Sequence, residues 1–214
     1  MVVYDLVKKV FNKLPSSIQP LLRFTMTTPA LQNTRDRRII WVDAEMTGLE
    51  VETQRLCEIA CVITEADLTE VAAYGSVVIG HSEEVIKGMS NWCKKTFKKN
   101  GLTQKIRESK VTEKQVEEEL LAFLQEHTDK FTCPLAGNSV NIDRLFIEKY
   151  LPKVGEHLHY RTIDVSTIKE LCKRWNVDTY SKVPEKAMCH RALDDIYESI
   201  AELRYYKANL FVKP

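Results

Sequence analysis

The first strongly apolar run of the chain closes on two carboxylates and a turn: Arg37-Arg38-Ile39-Ile40-Trp41-Val42-Asp43-Ala44-Glu45-Met46-Thr47-Gly48-Leu49. Residues 37 to 43 read as a buried β-strand. Side chains two apart on a strand leave the same face, so Asp43 and Glu45 project together, their Cα atoms roughly 7 Å apart from the strand rise. Paired carboxylates repel unless a cation lies between them. Hard oxygen ligands of this kind suit Mg2+ or Mn2+ rather than zinc. For an isolated Asp-x-Glu the simpler account is a strand running out into a polar loop. The cation reading depends on further carboxylates in matching places.

Two more occur. Asp143 follows Gly137-Asn138-Ser139-Val140-Asn141-Ile142 and falls in the first turn of a helix launched from a strand end. The helix dipole favours a carboxylate there, so capping alone would explain it. The other lies in His190-Arg191-Ala192-Leu193-Asp194-Asp195. Ala192, Leu193, Ile196, Ile200 and Leu203 form the buried stripe of that helix. Asp194 lies about 160° from Ile196 and is expected to face solvent, whereas Asp195 lies about 100° away on the flank of the stripe. Asp195 is therefore the candidate ligand. His190 precedes the helix, where a loop can swing it over bound substrate. A lone histidine is more often structural than catalytic.

The elements that must position these groups follow from local patterns. Runs at 58–65 and 71–79, with a turn at Asp67-Leu68-Thr69, complete an antiparallel meander over 37–79. Residues 90–127 read as helical, with Thr112 as an N-cap and Gln115 at N3. Cys133-Pro134-Leu135-Ala136 is a fourth strand and Thr162-Ile163-Asp164-Val165 a fifth. Helices are expected over 141–150, from Ser166 to Trp175, and over 191–208, with a loop at 176–189. Strands first, then strands alternating with helices, imply an α/β domain with a mixed central sheet flanked by helices.

Composition is that of an ordinary globular protein: 214 residues, 44% hydrophobic and 29% charged, net charge +1. No apolar run reaches the roughly 18 residues of a membrane span. Six cysteines (Cys57, Cys61, Cys93, Cys133, Cys172, Cys189) form no Cys-x-x-Cys and read as reduced, mostly buried thiols. Residues 1–42 hold seven Lys/Arg and two Asp, leaving the remaining 172 residues at −4. An acidic main domain is poorly suited to long nucleic acid bound through many phosphates. It is compatible with gripping a short substrate.

Residues 1–35 are read as an N-terminal extension and 36–214 as the folded domain. Val3, Val7, Val10 and Leu14 share one helical face, lysines occupy others, and hydroxyl residues follow. That composition is similar to a mitochondrial transit peptide, although Lys replaces Arg and Asp5 departs from the pattern. A loosely docked extension is the alternative. Met26 offers a second start that would yield a cytoplasmic form.

The order Asp-x-Glu, Asp, His-x4-Asp resembles the 3′→5′ exonucleases with an Asp-Glu-Asp-Asp core and a nearby His. The wording of Trp41 to Leu49, of Gly137-Asn138-Ser139, of His159-Tyr160-Arg161-Thr162-Ile163-Asp164-Val165-Ser166-Thr167 and of His190 to Asp195 resembles the oligoribonuclease family from about residue 37 to 210. The resemblance implies a ribonuclease H-like fold, a homodimer, and degradation of short single-stranded RNA from its 3′ end to mononucleotides. It implies that Asp43, Glu45, Asp143 and Asp195 hold two divalent cations, Mg2+ or Mn2+, with His190 as general base. Leu49 matches an apolar wedge against the terminal bases, and Met46 and Trp92 are expected in the same pocket; a core position is the alternative for Trp92. Ser139, Tyr160 and Arg161 match positions around the nucleotide and its 5′ phosphate. Tyr160 is expected to reach the partner subunit's site and to share in catalysis.

One departure stands out: Phe97 occupies the position where the family usually carries a histidine toward the 5′ phosphate. Lys94, Lys95, Lys98 and Lys99 beside it could donate to phosphate, but more simply form a solvated helix face. Two rival functions remain at this level, an exonuclease working on longer RNA or DNA ends and a non-catalytic oligonucleotide binder.

Overall fold

A computed structural model of the chain describes residues 34–185 and 190–211. The amphipathic N-terminal stretch, Met26 and Cys189 lie outside them. After a 3-10 turn at Thr34–Arg37 come β1 (Ile39–Met46), β2 (Leu56–Thr64) and β3 (Glu70–Val78). Four helices follow, α1 (Glu83–Gly88), α2 (Asn91–Lys99), α3 (Leu102–Glu108) and α4 (Glu113–His127). Then come β4 (Leu135–Gly137), α5 (Asn141–Tyr150), α6 (Pro152–His157), β5 (Thr162–Asp164), α7 (Val165–Trp175), α8 (Val177–Tyr180) and α9 (Ala192–Leu210). The sheet order is β3-β2-β1-β4-β5, with β1 to β3 antiparallel and β4 and β5 parallel to β1. The expected mixed sheet is present.

Element boundaries differ from the sequence reading where local chemistry overrides the pattern. The first strand begins at Ile39 and continues through Met46, so Asp43 and Glu45 stand within the ladder rather than beyond it. The helical region at 90–127 is three helices. Gly101, at φ +79, supplies a left-handed break, and Thr112 accepts from Gln115 N to start α4. Pro152 opens α6, a helix outside the sequence reading, at a first-turn position that proline tolerates. The region at 176–189 also contains the short helix α8.

Strand parity positions the site. On β1, Ile40, Val42 and Met46 pack into the core under α4, α5 and α6. Ile39 and Trp41 pack on the opposite face with Val165, Cys172, Ile196 and Ile200 of α7 and α9. Asp43 and Glu45 continue that second row by the period of two. They emerge where α9 begins, so its first turn lies beside them. Trp41 is fully buried and its Nε1 donates to Thr64 Oγ1 at 3.0 Å, satisfying its polar end inside the core. The five cysteines among the described residues are buried free thiols, as expected.

Candidate active site

A cavity of about 520 Å3 opens at the end of β1. Asp43, Glu45, Asp195 and His190 line one side, and Met46, Leu49, Ser90, Trp92 and Cys93 contribute to the rest. Ligand atoms of Glu45, His190 and Asp195 lie within 4.8 Å of one another. Of the two aspartates, Asp195 lines the cavity and Asp194 is exposed. Trp92 is 56% exposed, so it is a wall of the cavity and not a core residue. Its ring meets that of His190 edge-on, centroids 5.1 Å apart.

Asp143 reaches the site from α5. Its Oδ1 accepts from the Ala44 backbone N–H at 2.9 Å, across 99 residues. The parallel β1–β4 pairing makes this contact, because α5 starts just past β4. Burial raises the Asp143 carboxyl to about 7, opposed by its bonds to backbone N–H groups. Glu45 is pushed further, to about 8, by burial first and then by Asp195, Glu58 and Asp143. Negative charge is therefore crowded beyond what this pocket stabilises alone.

The register pairs Glu45 directly with Glu58 on β2, a like-charge pair that destabilises a sheet. Arg191 answers it. Its guanidinium donates to Glu58 from Nε at 3.2 and 3.1 Å and from Nη2 at 2.7 Å, and Glu58 is fully buried. A guanidinium carries only donors and cannot cap the N–H groups that open α9; Ser76 Oγ of β3 accepts from Leu193 N at 3.2 Å instead. His190 adopts φ +50, a conformation costly for a non-glycine residue. It is held there by Asn100 Nδ2, which donates to the His190 carbonyl at 2.8 Å. Sequence reasoning found no role for Glu58, Arg191 or Asn100. The Arg in the His190 motif was the one available signal.

A second buried network braces the other side. Asn138 Nδ2 donates to Ser199 Oγ at 2.7 Å, and Ser166 Oγ donates to Asn138 Oδ1 at 3.0 Å. Ser199 Oγ in turn donates to the Asp195 carbonyl at 2.8 Å, tying the β4 exit to the turn of α9 that carries the acid. Ser139, at φ +54, donates from its backbone N to Asp164 Oδ1 at 2.9 Å and does not line the cavity. Tyr160 is 61% exposed with the Arg161 guanidinium over its ring at 5.4 Å, and neither lines the cavity. Phe97 is fully buried among Cys57, Ile86, Met89 and Ile106, so its side chain is spent on the packing of α1 to α3. The four lysines around it are exposed.

The exonuclease family model RNase_T matches residues 40–203, and so spans every element from β1 into α9. The chain belongs to the RNase_T exonuclease family. The mitochondrial oligoribonuclease of Homo sapiens is 49% identical over 177 residues, covering 83% of this chain and 75% of its own. The oligoribonuclease of Corynebacterium glutamicum is 44% identical over 187 residues, 87% and 85% of the two chains. Among solved structures, exonuclease I superposes with a TM-score of 0.64 at 12% identity over 81% of this chain. This exonuclease spans 41% of that chain, and the likeness bears on the ribonuclease H-like fold alone.

The donor set fits a divalent cation. Asp43, Glu45 and Asp195 line the cavity as hard oxygen donors, with Asp143 against the same strand. The upward shifts of Glu45 and Asp143 reflect carboxylates that burial and mutual repulsion disfavour as anions, and a cation reverses both.

Proposed function

We infer that this exonuclease is a 3′→5′ exoribonuclease that hydrolyses short oligoribonucleotides to 5′-mononucleotides. The observation carrying the reading is the cavity in which Glu45, Asp195 and His190 converge within 4.8 Å, in a chain 44–49% identical to oligoribonucleases. Asp43, Glu45, Asp143 and Asp195 are the residues to hold two divalent cations, Mg2+ or Mn2+. When bound, such cations lower the pKa of water and stabilise charge on the departing oxygen.

The chain's own residues divide the remaining work. His190 accepts the proton of the attacking water as its oxygen bonds to the terminal phosphorus and the P–O3′ bond breaks. The products are a nucleoside 5′-monophosphate and a strand ending in a new 3′ hydroxyl. Trp92 and Asn100 hold the imidazole on the cavity side. Leu49 and Met46, with Trp92, offer apolar contact to the terminal bases, which tolerates any base because every base has an apolar face. Leu49 is 72% exposed at the rim, a position suited to a wedge.

Ser139, Tyr160 and Arg161 are proposed to bind the 5′ side of the substrate. Since Tyr160 and Arg161 stand apart from the cavity of their own chain, the reading gives them a role at the site of a homodimer partner. Arg161 suits phosphate because a guanidinium donates two parallel bonds. The name of the human relative supports mitochondrial residence for this chain, with a cytoplasmic form if translation starts at Met26. Among the described residues no helix is long and apolar enough to cross a membrane.

The test is cleavage of labelled RNAs of two, five and twenty nucleotides with Mn2+ and then with EDTA. Metal-dependent loss of the dinucleotide by the wild type and Asp194→Ala, but not by Asp195→Ala, is expected. Activity confined to the twenty-mer would transfer the protein to processing of longer ends. Tight binding without cleavage in Mn2+ would make it a binder.

A further inference from the structure

Charge within residues 34–214 is segregated. Residues 81–111, which contain α1 to α3, hold eight Lys/Arg and three Glu, a net of +5, whereas the rest of that span holds 19 Lys/Arg and 26 Asp/Glu, a net of −7. The basic block borders the acidic cavity through α2. A cavity of about 520 Å3 encloses a drug-sized ligand, on the order of one or two nucleotides. Any longer strand must leave it across the surrounding surface.

Helical geometry decides which lysines that strand meets. Cys93 and Phe97 of α2 point inward and are buried. Trp92 touches the His190 ring and Asn100, just past the helix, holds the His190 carbonyl. At 100° per residue Trp92, Thr96 and Asn100 make one row along His190, and Lys95 and Lys99 make the next row outward. Both lysines are exposed. Lys94 and Lys98 lie on the other flank, where with Lys87 and Arg107 they border a separate cavity of about 540 Å3.

We propose that Lys95 and Lys99 form a phosphate track beside the active-site mouth that grips single-stranded RNA upstream of the nucleotides held in the cavity. The proposal rests on the exoribonuclease reading and adds to it a dependence of rate on chain length. Two ammonium groups on flexible stems act as point charges, so the contact reads the backbone and not the base. The gain is confined to substrates long enough to reach α2 and weakens with salt as counterions are released.

The experiment compares kcat/KM on RNAs of two and six nucleotides, over a range of KCl, for the wild type, Lys95→Gln/Lys99→Gln and Lys94→Gln/Lys98→Gln. All four positions are exposed, so folding is not at issue. For the six-mer, Lys95→Gln/Lys99→Gln should reduce the slope of log kcat/KM against log salt by roughly 1.4, about 0.7 per lost single-strand phosphate contact. At low salt its kcat/KM on the six-mer should fall roughly tenfold, with the dinucleotide rate changed less than about twofold. The Lys94→Gln/Lys98→Gln variant should match the wild type on both. Equal losses on the two RNAs, or equal effects of the two variants, would overturn the track. Should the wild type cleave no RNA at all, the exoribonuclease reading falls. Anisotropy of a labelled six-mer in EDTA then still decides the track, by whether Lys95→Gln/Lys99→Gln weakens binding more than Lys94→Gln/Lys98→Gln.

Discussion

Replacing Arg191 by alanine removes the one cation that, among the described residues, is paired with a fully buried carboxylate. Glu58 has no exposure, and three nitrogen–oxygen contacts of 2.7–3.2 Å join it to the Arg191 fork. Breaking a buried pair by removing one partner costs about 3–5 kcal/mol, most of it the cost of the stranded charge. Glu58 stands opposite Glu45, so the stranded charge faces a second carboxylate across the ladder. We expect the lower end, about 3 kcal/mol. At about 2–4 °C per kcal/mol for a domain of this size, Tm should fall by roughly 6–12 °C.

Arg191→Lys keeps the charge and loses the fork, and should fall between alanine and wild type. The double replacement Arg191→Leu/Glu58→Leu removes both charges and should recover most of the loss, because apolar substitutes for a buried pair are commonly near neutral. Thermal unfolding in EDTA at neutral pH measures all four proteins. Since Arg191 adjoins His190, kcat on a dinucleotide should drop in Arg191→Ala with KM little changed. A Tm loss below about 2 °C, under 1 kcal/mol by the same conversion, would refute the reasoning.

Other outcomes follow from the same geometry. Without cations, the folded values of Glu45 (about 8, ordinarily 4.5) and Asp143 (about 7, ordinarily 3.8) lie above their unfolded ones. Their contribution to stability is therefore fully present below about pH 4 and is lost as pH rises through 7 to 8. Binding of Mn2+ at pH 7 must then release protons, and its stabilisation should grow from pH 6 to pH 8. Calorimetry in buffers of different ionisation enthalpy measures the release, and none would contradict the shifts. In Gly137→Ala the new Cβ would lie 2.8 Å from the Val42 carbonyl oxygen, prising β4 from β1 next to Asp43. We expect a loss of about 1–3 kcal/mol in urea unfolding, as for other overpacked sites. Trp92→Ala should raise KM for a dinucleotide roughly tenfold, the scale of one lost stacking contact. Trp92 is 56% exposed, so Tm should move little, and an unchanged KM would remove it from the substrate wall.

Period and propensity alone carried much of the site. The two-residue repeat of β1 aligned Asp43 and Glu45 with Trp41, and the 3.6-residue repeat of α9 separated Asp195 from Asp194. Both are local properties, and local sequence suffices for them. What sequence left open lay at breaks and long separations. Gly101 splits a helical pattern because a left-handed residue was needed, which apolar periodicity does not register. Asp143 taken alone read better as a cap, and the adjacency of β1 and β4 is what brings it to the Ala44 N–H.

The sequence by itself determined the face that Asp43, Glu45 and Asp195 occupy on their own elements and the mixed α/β architecture, since these depend on repeats a few residues long. The tertiary structure decided which elements meet. It brought Arg191 onto Glu58 across 133 residues and Asn100 onto the His190 carbonyl across 90. It buried Phe97 and set Tyr160 and Arg161 outward. The reason is physical: strand order and register join distant segments, and the charges they bring together answer to burial and to each other, which no local pattern encodes.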